Sequence, residues 1–173
     1  MKIADKPIGF RPMTADEKRI SREEASIRTA GIWALRSTCL RKKVGAVITV
    51  DGRIVATGYA GSSAGTPHCL DEGCIIDPVT GGCIRTQHAE RNAIRDAFER
   101  GIDMTGAVMY CTLSPCQACA QLIINHKFSS VVYYHEYRDR AGLDLLMTQA
   151  EKIDCWKFPD TFNLLLADLE DLK

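Results

Sequence analysis

His88-Ala89-Glu90 and Pro115-Cys116-Gln117-Ala118-Cys119 bring one imidazole, one carboxylate and two thiols into two short stretches. Imidazole and thiolate are the donors zinc prefers, and three protein ligands leave its fourth tetrahedral position open, as catalytic sites require. His88, Cys116 and Cys119 are therefore candidate ligands of a catalytic zinc. A zinc in such a site lowers the pKa of water from ~15.7 toward ~7. Glu90 is surplus to the ligand set and is the candidate proton carrier beside that water. Cys116 and Cys119 have the i, i+3 spacing of one helix face. Pro115 sits at the helix start, where its fixed φ and missing N–H cost nothing. At a helix N-terminus the partial positive charge favours thiolate over thiol. A C-x-x-C pair alone would equally suit half of a closed zinc ribbon or a redox dithiol, with His88 a surface residue. The upstream H-A-E and the lack of any other thioredoxin-like feature weigh against both.

H-x-E followed by P-C-x-x-C is the pattern of zinc-dependent nucleobase deaminases, in which the Glu shuttles protons and does not bind metal. The elements around the motifs must deliver them to one place. Thr14-Ala15-Asp16-Glu17 is a capping box, and Ile20, Ala25, Ile27, Ala30, Trp33 and Ala34 behind it predict a helix over about 15–37. Residues 44–50 and 53–58 read as two strands joined by a two-residue Asp51-Gly52 turn. A helix follows from His88 to Arg100, with Gly101 as its cap. Strands are expected at 107–112, 130–134 and 153–157, and helices from Cys116, at 139–150 and at 160–172. Strands alternating with helices after a hairpin predict an α/β protein, a three-layer α/β/α arrangement on a five-stranded mixed sheet. Residues 1–173 read as one domain, with residues 1–13 as a loose N-terminal arm.

Composition narrows the partner. Lys plus Arg (22) equals Asp plus Glu (22), so nothing favours a long nucleic acid, which is held mainly by excess positive charge. A substrate carrying one phosphate needs only one or two local cations. Hydrophobic residues at 46% and charged ones at 25% are ordinary for a soluble protein. Residues 1–10 hold no apolar run suited to a leader or a membrane span, so a cytoplasmic location with reduced thiols is expected.

Eight cysteines in such a setting point to metal before disulfide. Residues 59–86 lose regular periodicity and form a long Gly-rich insert, uncommon unless functional or held by something. Cys69, Cys74 and Cys83 lie within it, and Cys39 follows the first helix. These four, with His68 in reserve, are candidates for a second, structural zinc, worth on the order of 10 kcal/mol of apparent binding. The alternative is that they are small buried hydrophobes, the reading preferred for Cys111 and Cys155.

The chain resembles the deoxycytidylate (dCMP) deaminases of bacteria and large DNA phages over roughly residues 30–155. The likeness lies in Leu35-Arg-Ser-Thr-Cys39, Arg41 with Val44-Gly-Ala-Val47, Gly58-Tyr59-Ala60-Gly61, His68-Cys69, Glu72-Gly-Cys74, Arg85-Thr86 with H-A-E, Asn92-Ala-Ile94, Leu113-Ser-Pro-Cys116 with Cys119, and Tyr137. It implies the cytidine-deaminase-like fold, hydrolysis of dCMP to dUMP and ammonia, and a homo-oligomer, typically a hexamer. Tyr137 and Arg41 would meet the substrate phosphate, while Ala89, Ser114 and Pro115 would orient the base. A second zinc at the positions of Cys39 and Cys69 in phage relatives supports the structural site, with Cys74 and Cys83 completing it. Effector control by dCTP and dTTP, with Mg²⁺ accompanying the nucleotide, is also implied. It is expected to be weakened, because Ala60 replaces the family's usual Asn and the helix after H-A-E carries acidic Asp96 and Glu99. A modified dCMP, free cytidine or a tRNA adenosine are rival substrates, and a non-catalytic zinc-stabilised nucleotide-binding protein is the rival from another class. Glu90 speaks against the last, since a purely structural site has no use for it.

Overall fold

Side chains alternate across the pleat of a strand, and here that alternation sorts two cores onto the two faces of one sheet. The computed structural model describes residues 20–159. Strand β1 (Gly45–Val50) turns through Asp51-Gly52 into β2 (Arg53–Tyr59), as the turn chemistry predicts, and Asp51 takes a positive φ of 51°. Strands β5 (Val108–Leu113), β6 (Ser130–His135) and β7 (Asp154–Lys157) complete a sheet of order β2-β1-β5-β6-β7. Pairing is antiparallel from β2 to β5 and parallel from β5 to β7, so the sheet is mixed and five-stranded as expected.

Val47, Tyr110, Val132 and Tyr134 face one side, against Ile27 and Ala30 of α1 (Arg22–Ala34). Ala46, Ile48, Met109, Cys111 and Val131 face the other. There they meet α3 (Ala89–Glu99), α4 (Gln117–Asn125) and α5 (Ala141–Met147) through Ala93, Ile94, Ala97, Ala120, Ile123, Leu143 and Leu146. The result is the three-layer arrangement read from the sequence. No helix among the described residues is long and apolar enough to cross a membrane.

Three boundaries differ from the sequence reading. Helix α1 covers Arg22–Ala34, against the expected 15–37: Ser21 is its N-cap, and the Ser21 Oγ accepts the Glu24 N–H at 3.0 Å. Ser21-Arg-Glu-Glu24 satisfies the same Ser/Thr-x-x-Glu pattern as Thr14-x-x-Glu17. The arm at 1–13, the Thr14–Glu17 box and the helix expected at 160–172 lie outside the described residues. Helix α5 is shorter than the expected 139–150. The insert over 59–86 is also not all loop. It holds β3 (Gly61–Ser62) paired with β4 (Thr86–Gln87), and the single turn α2 (Cys69–Glu72).

Two glycines set how closely the helices that carry the motifs can approach. A Cβ on Gly58 would sit 2.2 Å from the Ala89 carbonyl, in the first turn of α3. One on Gly142 would sit 2.0 Å from the Pro115 carbonyl, just before Cys116. Backbone cannot yield to such an overlap without moving the motif it carries. Gly142→Ala should therefore destabilise by about 2 kcal/mol and lower the melting temperature by roughly 6 °C. At an open helical position the same change would stabilise by up to about 1 kcal/mol, so the sign of the melting shift is the test.

Candidate active site

Two strand-to-helix junctions build the site. Short β4 leads into His88, the extended N-cap of α3 (φ −71°, ψ 151°), and β5 leads through Ser114-Pro115 into Cys116, the extended N-cap of α4 (φ −71°, ψ 169°). His88 Nδ1 lies 3.4 Å from Cys116 Sγ and 3.4 Å from Cys119 Sγ. All three donor atoms fall within 4.8 Å of one another. Two sulfurs and one nitrogen are a soft donor set of the kind that suits zinc.

The electrostatics follow from shared protons. The hydrogen bond from the Cys119 thiol, followed by that from the His88 ring, holds Cys116 down to about 4, against the opposing effect of burial. Cys119, donating to that sulfur and buried, is pushed far up. His88 is raised by its bond to the Cys116 sulfur. Glu90, only 4% exposed, is pushed up to about 7 by burial, with the His88 charge opposing. A carboxyl poised near neutrality can both accept and donate a proton.

The second cysteine group also converges. Cys39, Cys69 and Cys74 bring their sulfurs within 4.8 Å of one another, and Cys83 Sγ is 3.6 Å from Cys69 Sγ. Burial, then hydrogen bonds to Cys69 and Cys83, push Cys74 up to about 12. Burial acts the same way on Cys83, but hydrogen bonds from the hydroxyl and N–H of Thr86 outweigh it and hold that thiol down to about 6. His68, the reserve ligand, is not in the group, because its Nδ1 faces the Thr38 hydroxyl at 3.2 Å. Cys111 is fully buried in the core with its sulfur near the Val132 carbonyl, and Cys155 packs beside it as a half-buried hydrophobe.

A cavity of about 210 Å³ is lined by members of both groups, His88, Glu90 and Cys116 of the first and Cys39 and Cys83 of the second. Arg41, Ala89, Ser114 and Tyr137, read from the sequence as substrate contacts, are among its lining residues. Ser114 Oγ also accepts the Tyr137 N–H at 2.7 Å, which ties the loop after β6 to the start of α4. Pro115 does not line the cavity. It is buried beneath, with its carbonyl against Gly142. Lys42, Glu136 and Arg138 line the cavity without having been singled out from the sequence. Only the adjacency of Arg138 to Tyr137 was there to be noticed, and one cation among 22 carries no mark of its own.

The family model for the cytidine and deoxycytidylate deaminase zinc-binding region matches residues 20–135. ComE operon protein 2 of Bacillus subtilis is 41% identical over 133 residues, spanning 77% of this chain and 69% of that protein. The deoxycytidylate deaminase of Mycobacterium phage D29 is 38% identical over 123 residues, spanning 66% of this chain and 94% of that protein. Among solved structures, the dCMP deaminase of cyanophage S-TIM5 in complex with dCMP and dUMP has a TM-score of 0.69 at 29% identity, covering 82% of this chain and 99% of that one. The matched region runs from the start of α1 through β6 and takes in both ligand-bearing helix starts, so the chain belongs to the cytidine and deoxycytidylate deaminase family and has its cytidine-deaminase-like fold.

Proposed function

We propose that this chain hydrolyses the 4-amino group of dCMP, giving dUMP and ammonia, with His88, Cys116 and Cys119 holding zinc and Glu90 moving protons. The observation that carries the reading is a buried carboxyl, Glu90, facing the same cavity as His88 and Cys116, whose donor atoms converge with that of Cys119. The S-TIM5 relative was solved with dCMP and dUMP, and the similar proteins of phages D29 and T4 are deoxycytidylate deaminases.

When bound, the zinc supplies an acidified water at neutral pH. Glu90 takes one proton from the attacking water and delivers it to N3 of the ring, which opens C4 to attack. It then carries the second proton to the amino nitrogen, which leaves as ammonia. Ala89 and Ser114 lie along the wall where the base would rest. Pro115 acts from below as a positioning residue, since it sets the Cys116 N-cap without touching the cavity. Arg41 and Tyr137 are the partners of the substrate phosphate in this reading.

Cys39, Cys69, Cys74 and Cys83 hold a second, structural zinc that ties the insert to the segment after α1. Control by dCTP and dTTP, with its Mg²⁺, is weak or absent, for Ala60 lacks the amide that could contact the nucleotide and the helix after H-A-E carries the acids Asp96 and Glu99. The protein works as a cytoplasmic single-domain homo-oligomer, a hexamer, without long nucleic acid as partner.

Ammonia release from dCMP, CMP, cytidine and dCTP side by side tests the substrate, and dCMP should be the preferred one. Glu90→Gln should lower kcat about 10³-fold while zinc content stays that of the wild type. Retained turnover would remove the shuttle role. Metal analysis should find two zinc ions per chain, and Cys74→Ser should bring the count to one and lower the melting temperature. One chain binding a single zinc would leave the second site without support.

Glu90 also gives the metal-free protein a pH signature. Its folded pKa of about 7 lies above the ordinary 4.5, so the native state binds this proton more tightly than the unfolded chain. That contribution is complete below about 4.5 and is lost as the pH rises through 7. Relative to Glu90→Gln, the metal-free wild type should therefore lose about 3 kcal/mol of stability between about pH 4.5 and 8. Parallel denaturant titrations of the two proteins would measure it.

A further inference from the structure

Arg41 and Arg138 reach the cavity from distant parts of the chain, one ahead of β1 and the other after β6, yet both end on one turn. Arg138 Nη2 donates to the Thr80 carbonyl at 2.9 Å, and Arg41 Nη1 donates to the neighbouring Gly81 carbonyl. Asp77 builds that turn. Its Oδ1 accepts the N–H groups of Val79 at 2.7 Å and Thr80 at 3.1 Å. Its carbonyl accepts the Gly81 N–H at 2.8 Å, and its own N–H donates to the Gly82 carbonyl at 2.8 Å. The N–H groups of Thr80 and Val79 hold the Asp77 carboxyl below its ordinary range. An Ile76–Cys83 bridge closes the base of the turn, and Cys83 belongs to the thiol group.

The charge balance at the cavity mouth is one-sided. Arg41, Lys42 and Arg138 line it, while Glu136, the acid beside them, is paired with Arg140 at 3.0 Å. Among the described residues neither Arg41 nor Arg138 has a carboxylate within ion-pair distance; each donates to a neutral carbonyl, and the Arg138 guanidinium also lies over the Tyr137 ring at 5.7 Å. A guanidinium carries five donors in a fixed plane. One donor given to a carbonyl orients that plane, and the other donors and the full positive charge stay available to an anion.

We propose that the Asp77–Gly82 turn is a strap across the cavity mouth that orients Arg41 and Arg138 toward the phosphate of the substrate, with Asp77 as the positioning residue and Arg138 as a second phosphate-binding cation. The proposal rests on the nucleoside monophosphate reading above. Asp77 touches no part of the substrate; it acts through the two carbonyls that its carboxylate and backbone hold in place.

The test is steady-state kinetics of the full-length zinc-loaded protein on dCMP and deoxycytidine. Wild type should prefer dCMP strongly. Asp77→Ala should raise KM for dCMP about tenfold with kcat within about twofold of wild type, as expected for lost orientation of a binding group. Asp77→Asn keeps an oxygen that accepts the same N–H bonds and should restore the wild-type KM. Arg138→Gln should raise KM for dCMP by about as much, since a charge-assisted contact is lost. In an Arg41→Gln/Arg138→Gln background, Asp77→Ala should add nothing, because the groups act as one unit. An unchanged KM in Asp77→Ala, or the same rise in that double-variant background, would overturn the strap. So would an unchanged KM in Arg138→Gln, which decides the matter should Asp77→Ala not fold. Wild type turning over deoxycytidine as well as dCMP would sink the monophosphate reading and the strap with it. A strong wild-type preference with a silent Asp77→Ala would sink the strap alone.

Discussion

Three soft donor atoms must meet at one point while a carboxyl is held out of water beside them, and most of the fold is arranged around that constraint. His88 and the two cysteines come from two helix starts, and the helices themselves cannot choose their separation. The sheet does so by packing α3 and α4 on one face through small residues: Ala93, Ala97 and Ala120 are fully buried. Glycine at 58 and 142 lets backbone meet backbone, so the ligand-bearing turns sit closer than any side chain would allow. Fixing the ligands on N-caps of packed helices, not on free loops, keeps their geometry from drifting.

The cavity joins two environments of opposite character. Its inner wall desolvates Glu90 and thereby brings a carboxyl toward neutrality, where proton transfer in both directions is easiest. Its mouth carries Arg41, Lys42 and Arg138 and stays open to water. An anionic group is favoured at the mouth and disfavoured deep inside, so a nucleotide has only one sensible polarity of binding: base inward, phosphate outward. Substrate orientation then follows from the charge gradient as much as from shape.

The insert between β2 and α3 looks dispensable in sequence, yet in space it forms part of the cavity. Cys39 and Cys83 of the thiol group line the same space as His88 and Cys116. Its carbonyls at Thr80 and Gly81 receive the two arginines. A segment with little secondary structure is thus held by sulfur contacts on one side and guanidinium contacts on the other, which explains how so long a stretch stays ordered without a core of its own.

Local chemistry wrote much of this protein plainly. The Asp51-Gly52 turn, the alternating strands and the two motifs at helix starts all depend on residues a few positions apart, so the α/β class, the mixed sheet and the His88, Glu90, Cys116 and Cys119 constellation could be read without coordinates. Where two local solutions were equally good, the sequence could not choose: Thr14-x-x-Glu17 and Ser21-x-x-Glu24 are the same capping pattern, and α1 begins behind the second. Nor could a motif say which way its members face. Pro115 lies beneath the cavity and His68 turns to Thr38, because packing against α5 and the first segment decides orientation. Arg138 meets Thr80 across 58 residues of chain, a contact that only the sheet's topology makes possible. The chain itself determined the chemistry available; tertiary packing alone decided which groups share the cavity, since distance in space is set by the crossing of strands and helices and not by distance along the sequence.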